Sequence, residues 1–198
     1  MDFATRKQVQ TLYHEKFGFA AKYSLQGDRI ATATKFEPVQ VWDSSDGCLL
    51  LDIPADVTPY FNTGLLWFNH YLFLVSGGKI KEFDVSTGSV VSEWPIPNSN
   101  YHSCIALPDH EEFIAYAANF TIAFRDMSTH SQLDFIQHPE DIRSIAFSPD
   151  DRFLAFGGKD RKVIIKSLSR ITVGAESRRV YHVSDPRSPL LRTSVAPP

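Results

Sequence analysis

The apolar positions of this chain fall in short runs. Runs of four to seven residues, rich in Ile, Val, Phe and Tyr, alternate with turn residues such as Gly, Asp, Asn and Pro. Runs of this length and composition are typical of β-strands. No segment carries a sustained apolar period of about 3.6 residues, which a surface helix would need. The pattern therefore predicts an all-β protein.

The runs recur at a fixed spacing. The segments VQVWD, KIKEFD and TIAFRD end at Asp43, Asp84 and Asp126, which lie 41 and 42 residues apart. Another 41 residues lead to Ser167, at the end of VIIKS. Each unit holds four apolar runs, and four strands at this period are typical of a β-propeller blade.

A single four-stranded sheet cannot bury both of its faces, so each blade is expected to stack on its neighbour. The large apolar residues of the runs are then the predicted core between blades. They are Ile30, Val41, Trp42, Leu72, Leu74, Ile80, Phe83, Ile114, Tyr116, Ile122, Phe124, Leu154 and Ile164.

The period also divides the chain. The part before the first unit is interpreted as a strand or the remnant of a preceding blade, and the part after the last as a flexible, basic tail that contains prolines. The predicted segments are the N-terminal remnant 1–13, the blades 14–53, 57–94, 101–136 and 138–176, and the tail 177–198.

Two of the units resemble WD40 repeats. The resemblance is carried by the Ser148-Pro149-Asp150-Asp151 hairpin turn, the Gly157-Gly158-Lys159-Asp160 turn and the Trp42-Asp43 ending. It covers about residues 14–169 and is strong in the first and fourth units only. It implies a WD40-type β-propeller segment of about four four-stranded blades. Because WD40 rings usually have about seven blades, the segment is expected to be an incomplete ring.

In the WD40 family a buried hydrogen-bond network joins a His before the first strand, a hydroxyl in the second, an Asp in the next turn and a Trp in the third. The resemblance assigns His138 and Asp160 to two of these places in the fourth unit. Phe156 and Lys166 stand where the hydroxyl and the Trp would be, so the network cannot close there. We expect apolar stacking to hold the blades instead.

The first unit keeps more of this pattern. It has His14 and Trp42, with Glu37-Pro38 near the turn. The resemblance gives His14, Trp42 and the three repeat aspartates structural roles.

A second, weaker resemblance concerns the whole segment. The drifted units and the ending IKSLSRITV resemble the C-terminal WD40 region of fungal NACHT–WD40 proteins, which are signal-transducing NTPases. No G-x-x-x-x-G-K-[ST] phosphate-binding loop occurs in the sequence, so we expect neither nucleotide activity nor a cofactor.

Three arrangements can explain a four-blade chain. It belongs to a longer propeller, it pairs with another copy, or it closes as a small ring with residues 8–13 latched onto the last blade. We favour the first, because a partial ring leaves two apolar sheet faces in water.

The resemblance implies a non-enzymatic scaffold or sensor that binds other proteins through loops before first strands and after second strands. The alternatives are a propeller enzyme of the lactonase or hydrolase kind with a metal in the channel, and a decayed gene fragment. The candidate contact residues are Phe36, Glu37, Asn62, Gly77, Tyr101, Asn119, Asp141 and Lys159.

Composition narrows the partners further. A net charge of −3 argues against nucleic-acid binding through a basic surface. The first residues lack the apolar stretch of a signal peptide and no run of about 18 apolar residues occurs, so we expect a soluble, cytoplasmic protein without a membrane partner. Two cysteines, Cys48 and Cys104, are too few for a disulfide framework.

We predict no metal site and no catalytic residue. His102, His110, Glu111 and Glu112 lie close in sequence, but their spacing matches no standard ligand pattern.

Overall fold

The computed structural model describes residues 10–34, 36–55, 64–97, 103–109, 113–173 and 178–184. These residues form four antiparallel four-stranded sheets, and none of them lies in a helix. The prediction of an all-β propeller segment with four four-stranded blades is confirmed. Strand order in each sheet follows the chain: β1 (Gly18–Tyr23), β2 (Arg29–Thr34), β3 (Val39–Asp43) and β4 (Leu49–Ile53) in blade one; β5 (Leu65–Phe68), β6 (Tyr71–Ser76), β7 (Lys79–Asp84) and β8 (Val90–Pro95) in blade two; β9 (Ser103–Ala106), β10 (Phe113–Ala118), β11 (Thr121–Asp126) and β12 (Gln132–Gln137) in blade three; β13 (Ile142–Phe147), β14 (Phe153–Gly158), β15 (Val163–Val173) and β16 (Arg178–Ser184) in blade four.

The repeat aspartates mark the ends of third strands. Asp43, Asp84 and Asp126 are the last residues of β3, β7 and β11, as the 41-to-42-residue spacing predicts. Ser167 lies inside the fourth blade's third strand, which continues to Val173.

Each repeat aspartate builds a side-chain turn. The Asp43 carboxylate accepts hydrogen bonds from the Ser45 hydroxyl at 2.6 Å and from the Ser45 amide at 2.8 Å. The hydroxyl bond comes first among the interactions that hold the pKa of Asp43 below its ordinary value. Because the side chain replaces a backbone acceptor, the chain can reverse directly after the strand. The same pair of bonds joins Asp84 to Ser86 and Asp126 to Ser128.

The residue four positions after each aspartate completes the turn in the left-handed region. It is Gly47 with φ 74°, Gly88 with φ 72° and His130 with φ 54°. Ile171 has that place in the fourth unit, and a β-branched side chain strongly disfavours positive φ. With neither the carboxylate nor a tolerant residue, β15 runs on to Val173.

This extension corrects the predicted start of the tail. Residues 178–184 are the outer strand of blade four, paired from Ser167↔Ser184 to Val173↔Arg178. The segment RRVYHVS contains Val and Tyr residues that favour strands, and the long edge of β15 gives its backbone hydrogen-bond partners. Residues 185–198 of the predicted tail lie outside the described part of the chain.

A continuous apolar layer lies between each pair of consecutive blades. All of the predicted core residues are buried except Ile30 and Ile164, which are partly buried. The largest fully buried side chains include Phe73 and Phe83 in blade two and Phe124 in blade three. Burial of this kind stabilises by about 25 cal/mol per Å² of apolar surface, so these layers dominate the stability of the stack.

The segment before β1 lies against the first blade. Its Gln10 side-chain amide donates a hydrogen bond to the carbonyl of Asp46 at 3.1 Å. The His14 ring meets the Trp42 ring edge-on, with 5.3 Å between centroids. Residues 10–13 form no strand. Residues 1–9 lie outside the described residues.

Glu82 places a carboxylate in the apolar layer between blades two and three. It is only 7% exposed and lies opposite Phe73 in the sheet. Burial raises the pKa of Glu82, and the nearby His130 opposes that shift. Val41 and Phe124 hold the equivalent position in blades one and three, so a charged group here is a departure from the repeat.

We expect Glu82→Gln to raise the free energy of unfolding at pH 7 by about 1 kcal/mol, because it removes a buried carboxylate while keeping its shape. Because the pKa of Glu82 is higher in the folded protein than in the unfolded chain, ionisation of Glu82 lowers the free energy of unfolding above the folded-state pKa. Below the unfolded value of 4.5 the group is protonated in both states and this cost is absent. The gain should therefore vanish as the pH falls towards 4.5. Urea unfolding at pH 7 and pH 4 measures it.

Glu93→Gln is the matched control for this prediction. Glu93 lies on the exposed outer strand and its carboxylate contacts the Lys79 ammonium at 2.6 Å, which lowers the pKa of Glu93. This variant should not gain stability at pH 7. A Glu82→Gln gain that is equal at both pH values would contradict the burial argument.

Candidate partner-contact face

The meander places two kinds of connection at one end of each blade. The start of a first strand and the turn between second and third strands lie at the same end, because neighbouring strands are antiparallel. The connections between blades begin at this end as well. We call this end the loop face; its described residues are 36–38, 64, 77–78, 96–97, 119–120, 138–141 and 159–162.

Backbone hydrogen bonds join the third and fourth blades at the loop face. The Ile142 amide donates to the Asn119 carbonyl at 2.7 Å, and the His138 amide donates to the Phe120 carbonyl at 2.7 Å. The Lys159 amide donates to the Asp141 carbonyl at 3.0 Å. The structure thus brings the predicted contact residues Asn119, Asp141 and Lys159 together.

A charged cluster stands on this junction. The Asp141 carboxylate makes ion pairs with the Lys159 ammonium and with the Arg143 guanidinium, the latter at 3.5 Å. The Lys159 side chain remains 56% exposed. Lys159 therefore presents an exposed cation at this junction, which suits an acidic group on a partner.

His138 and Asp160 meet beneath this cluster. The His138 Nε2 atom lies 3.2 Å from an Asp160 carboxylate oxygen, and both side chains are nearly buried. Phe156, which replaces the family's hydroxyl, packs against the His138 ring edge-on with 5.5 Å between centroids. The buried Nε2 atom makes no hydrogen bond, so burial and the Phe156 contact hold the His138 side chain here, and the network role that the resemblance implies stays a prediction.

Blade one contains a more complete polar network. The Trp42 indole N–H donates to the Thr32 hydroxyl at 2.8 Å inside the sheet. Next to it the Thr34 hydroxyl donates to the Glu37 carboxylate, which holds the start of the turn. Thr32 was not predicted from the sequence, although a hydroxyl in the second strand of the unit that keeps its Trp was the signal for it.

Phe36 presents an aromatic ring at the loop face. It is 69% exposed and has φ 58°, a left-handed conformation that bulky residues rarely adopt. Gly77, with φ 59°, and Asn119, with φ 53°, occupy corresponding turns in the next two blades. The positive φ is therefore a feature of this turn in the repeat, and at Phe36 it is combined with an exposed aromatic side chain. Asn62 and Tyr101 of the predicted contact set lie outside the described residues.

A cavity of about 440 Å³ opens beside the loop face, on the side of blade three that faces blade two. Its walls include Phe120 and Phe135, which are 46% and 53% exposed. Pro97, Tyr116 and Gln137 complete the part nearest the loops. Apolar walls with a few polar groups at the rim are the usual composition of a recognition pocket. No sequence signal marked this cavity.

Metal ligands and reactive thiols are the other groups through which the described residues could act chemically. Within the described ranges, no group of three or more His, Cys, Asp or Glu side chains is placed to hold a metal ion. The predicted loop of His102, His110, Glu111 and Glu112 lies outside those ranges. Burial raises the pKa of Cys104 to about 11, and a hydrogen bond with Asp46 comes first among the causes that raise the pKa of Cys48. Both thiols are therefore weak nucleophiles at neutral pH.

Nor do the described residues include any helix of a length and apolar character sufficient to cross a bilayer.

Comparison with known proteins supports the fold. No family profile and no curated protein matches the sequence. A chain in the crystal structure of the mitotic checkpoint complex matches with a TM-score of 0.67 and 18% identity, over 80% of this chain and 51% of that one. This chain thus spans about half the length of that match. The computationally designed Ika4 protein matches with a TM-score of 0.62 and 19% identity, over 81% of this chain and 98% of that one.

At these identities the likeness shows a β-propeller fold and nothing finer. It supports the arrangement of the four sheets as propeller blades. It does not confirm the resemblance to fungal NACHT–WD40 proteins.

Proposed function

We propose that this WD40-like propeller segment is a non-enzymatic scaffold that binds another protein through its loop face. The observation that carries the proposal is the cavity walled by the exposed Phe120 and Phe135 rings. Aromatic side chains around a concave, partly desolvated site are the usual hot spots of protein–protein contacts.

The chemistry of the face describes the partner segment. An apolar side chain would enter the cavity between Phe120 and Phe135, and the amide of Gln137 could hydrogen-bond its backbone. An acidic residue on the same segment would reach the exposed Lys159 ammonium. The rigid stack of blades keeps these groups in fixed positions, which lowers the entropic cost of binding.

The biological setting rests on sequence resemblance alone. If the chain is the sensor end of a larger signalling NTPase, as its likeness to fungal NACHT–WD40 proteins implies, the loop face would receive the signal in the cytoplasm.

Selection of a displayed peptide library on the immobilised protein tests the proposal. We expect enriched peptides that combine an aromatic or aliphatic residue with a nearby acidic one. Phe120→Ala should weaken their binding by about 10-fold or more, because it removes one wall of the cavity. Isothermal titration of one synthetic peptide against each variant measures the change.

Leu50→Ala is the control, since Leu50 is exposed to a similar degree, 49%, on the outer strand of blade one. Enriched peptides that bind Phe120→Ala as tightly as the unchanged protein would contradict the assignment of the site. A stoichiometric bound metal together with lactone hydrolysis would favour the propeller enzyme instead.

A further inference from the structure

The side of each blade that faces the next blade is built from the same four repeat positions. Two lie on the second strand, and the other two lie opposite them on the third. In the first three blades every one of these side chains is buried, at 8% exposure or less. They are Ala31, Ala33, Val39 and Val41 in blade one, Phe73, Val75, Ile80 and Glu82 in blade two, and Ala115, Ala117, Ile122 and Phe124 in blade three.

Blade four carries the same surface in water. Its residues at these positions are Ala155, Gly157, Val163 and Ile165. Val163 is 77% exposed and Ile165 is 62% exposed. Phe153, beside them, is 40% exposed. We call this surface the end face of blade four. It has the apolar composition of the sides that are buried between blades, but it is exposed to solvent.

In this chain each side that faces forward along the chain packs against the backward-facing side of the next blade. We call this backward-facing side the preceding side, and in blade one it lies at the end of the stack. At this opposite end of the stack, the preceding side of blade one has a buried centre, with Thr32 and Trp42 at 6% and 8% exposure, and an exposed aromatic edge. His14 covers its Trp42, but Tyr23, which pairs with Ile30, is 61% exposed. Phe17, just before β1, is 81% exposed.

The charges of the two end blades are complementary. Residues 10–55 contain six acidic and four basic residues, a net charge of −2. Residues 138–184 contain nine basic and six acidic residues, a net charge of +3. Attraction therefore favours blade four against blade one, whereas two copies of blade four would repel each other.

We propose that the end face of blade four docks on blade one of a second copy, and that the second copy reciprocates. Two four-blade chains would then close a single ring of eight blades around a two-fold axis. Head-to-tail contacts of this kind form closed rings when both ends are used. The contact extends the stacking already present between consecutive blades. It does not involve the loop face, so its failure would leave the proposed partner site untouched.

Light scattering coupled to size-exclusion chromatography on the 198-residue chain is the test. We expect about twice the 22.4 kDa of one chain. Val163→Glu should weaken association by about 100-fold or more, since it places a charge in the centre of the contact. Val91→Glu makes the same chemical change at an exposed site, 53% exposed, on the outer strand of blade two, and should remain a dimer.

Other results would overturn the proposal. A monomer of the unchanged chain at micromolar concentration would do so, as would an open series of larger species. If Val163→Glu fails to give a cooperative unfolding transition, Tyr23→Glu tests the same contact from the other end.

Disulfide trapping separates the two possible directions of pairing. In a Cys48→Ser background, Tyr23→Cys combined with Val163→Cys should form an intermolecular disulfide under mild oxidation. Val163→Cys alone should not. Cross-linking by Val163→Cys alone would indicate two end faces of blade four in contact and would refute the head-to-tail ring.

Discussion

Phe124→Ala should lower the free energy of unfolding by about 3–5 kcal/mol, the cost of removing a large aromatic side chain from a packed core. Phe124 is 1% exposed in the layer between blades three and four, and its ring packs edge-on against Phe113 at 5.9 Å. The fourth blade has no closed polar network to compensate, because Phe156 and Lys166 replace the hydroxyl and the Trp. The apolar layer must therefore hold blade four in place.

Urea unfolding followed by tryptophan fluorescence measures this loss, and Phe135→Ala is its matched control. Phe135 is on the same blade but 53% exposed, so its truncation should cost less than about 1 kcal/mol. Domains of this size have total stabilities of about 5–15 kcal/mol, and Phe124→Leu provides a milder change in the event that the alanine variant does not fold. Equal losses for Phe124→Ala and Phe135→Ala would contradict the stacked-blade account.

The period of the sequence was sufficient to predict the blades. Each repeat aspartate needs a serine two positions later and a residue tolerant of positive φ four positions later, so the turn leaves a recognisable pattern. Buried strands between these turns follow from their alternation of Ile, Val and Phe. For that reason the third strands ending at Asp43, Asp84 and Asp126 could be placed correctly from sequence alone.

The same reasoning failed where the pattern was absent. Residues 178–184 were interpreted as a tail because no turn signal precedes them, yet the length of β15 provides a pairing edge that only the structure reveals. The cavity between Phe120 and Phe135 was also missed. Apart from Pro97, its lining residues come from separate strands and turns of blade three, and only the fold brings them to one side of the sheet.

For the candidate contact residues, the sequence predicted which face they share but not the contacts between them. The sequence placed Asn119, Asp141 and Lys159 on one face because their connections share one end of the meander. It could not show that backbone hydrogen bonds would bring the three together at the junction of blades three and four. Contacts of that kind depend on how closely two chain segments approach, and this distance is set by the packing of whole blades.

Gly158 lies in such a close approach to the Asp141 backbone, so we expect a large loss of stability when it is replaced. A Cβ atom on this residue would lie 1.9 Å from the Asp141 carbonyl oxygen and 2.8 Å from its carbonyl carbon. Both are backbone atoms, so no side-chain rotation can relieve the clash. Gly158→Ala should therefore push blade four away from its linker and break the hydrogen bond from the Lys159 amide to Asp141. We expect a loss of about 2–3 kcal/mol in the free energy of unfolding.

Gly18→Ala is the control for that prediction, because nothing lies within 4 Å of its added Cβ and it begins a strand. That variant should be neutral or slightly more stable, since alanine restricts the unfolded chain. Thermal unfolding compares the two, and hydrogen exchange locates the effect. Faster exchange should appear at Lys159 and Ile142 in Gly158→Ala, while the strands of blade two keep their protection. Unchanged exchange at these two amides would mean that the loop face does not depend on the missing side chain at Gly158.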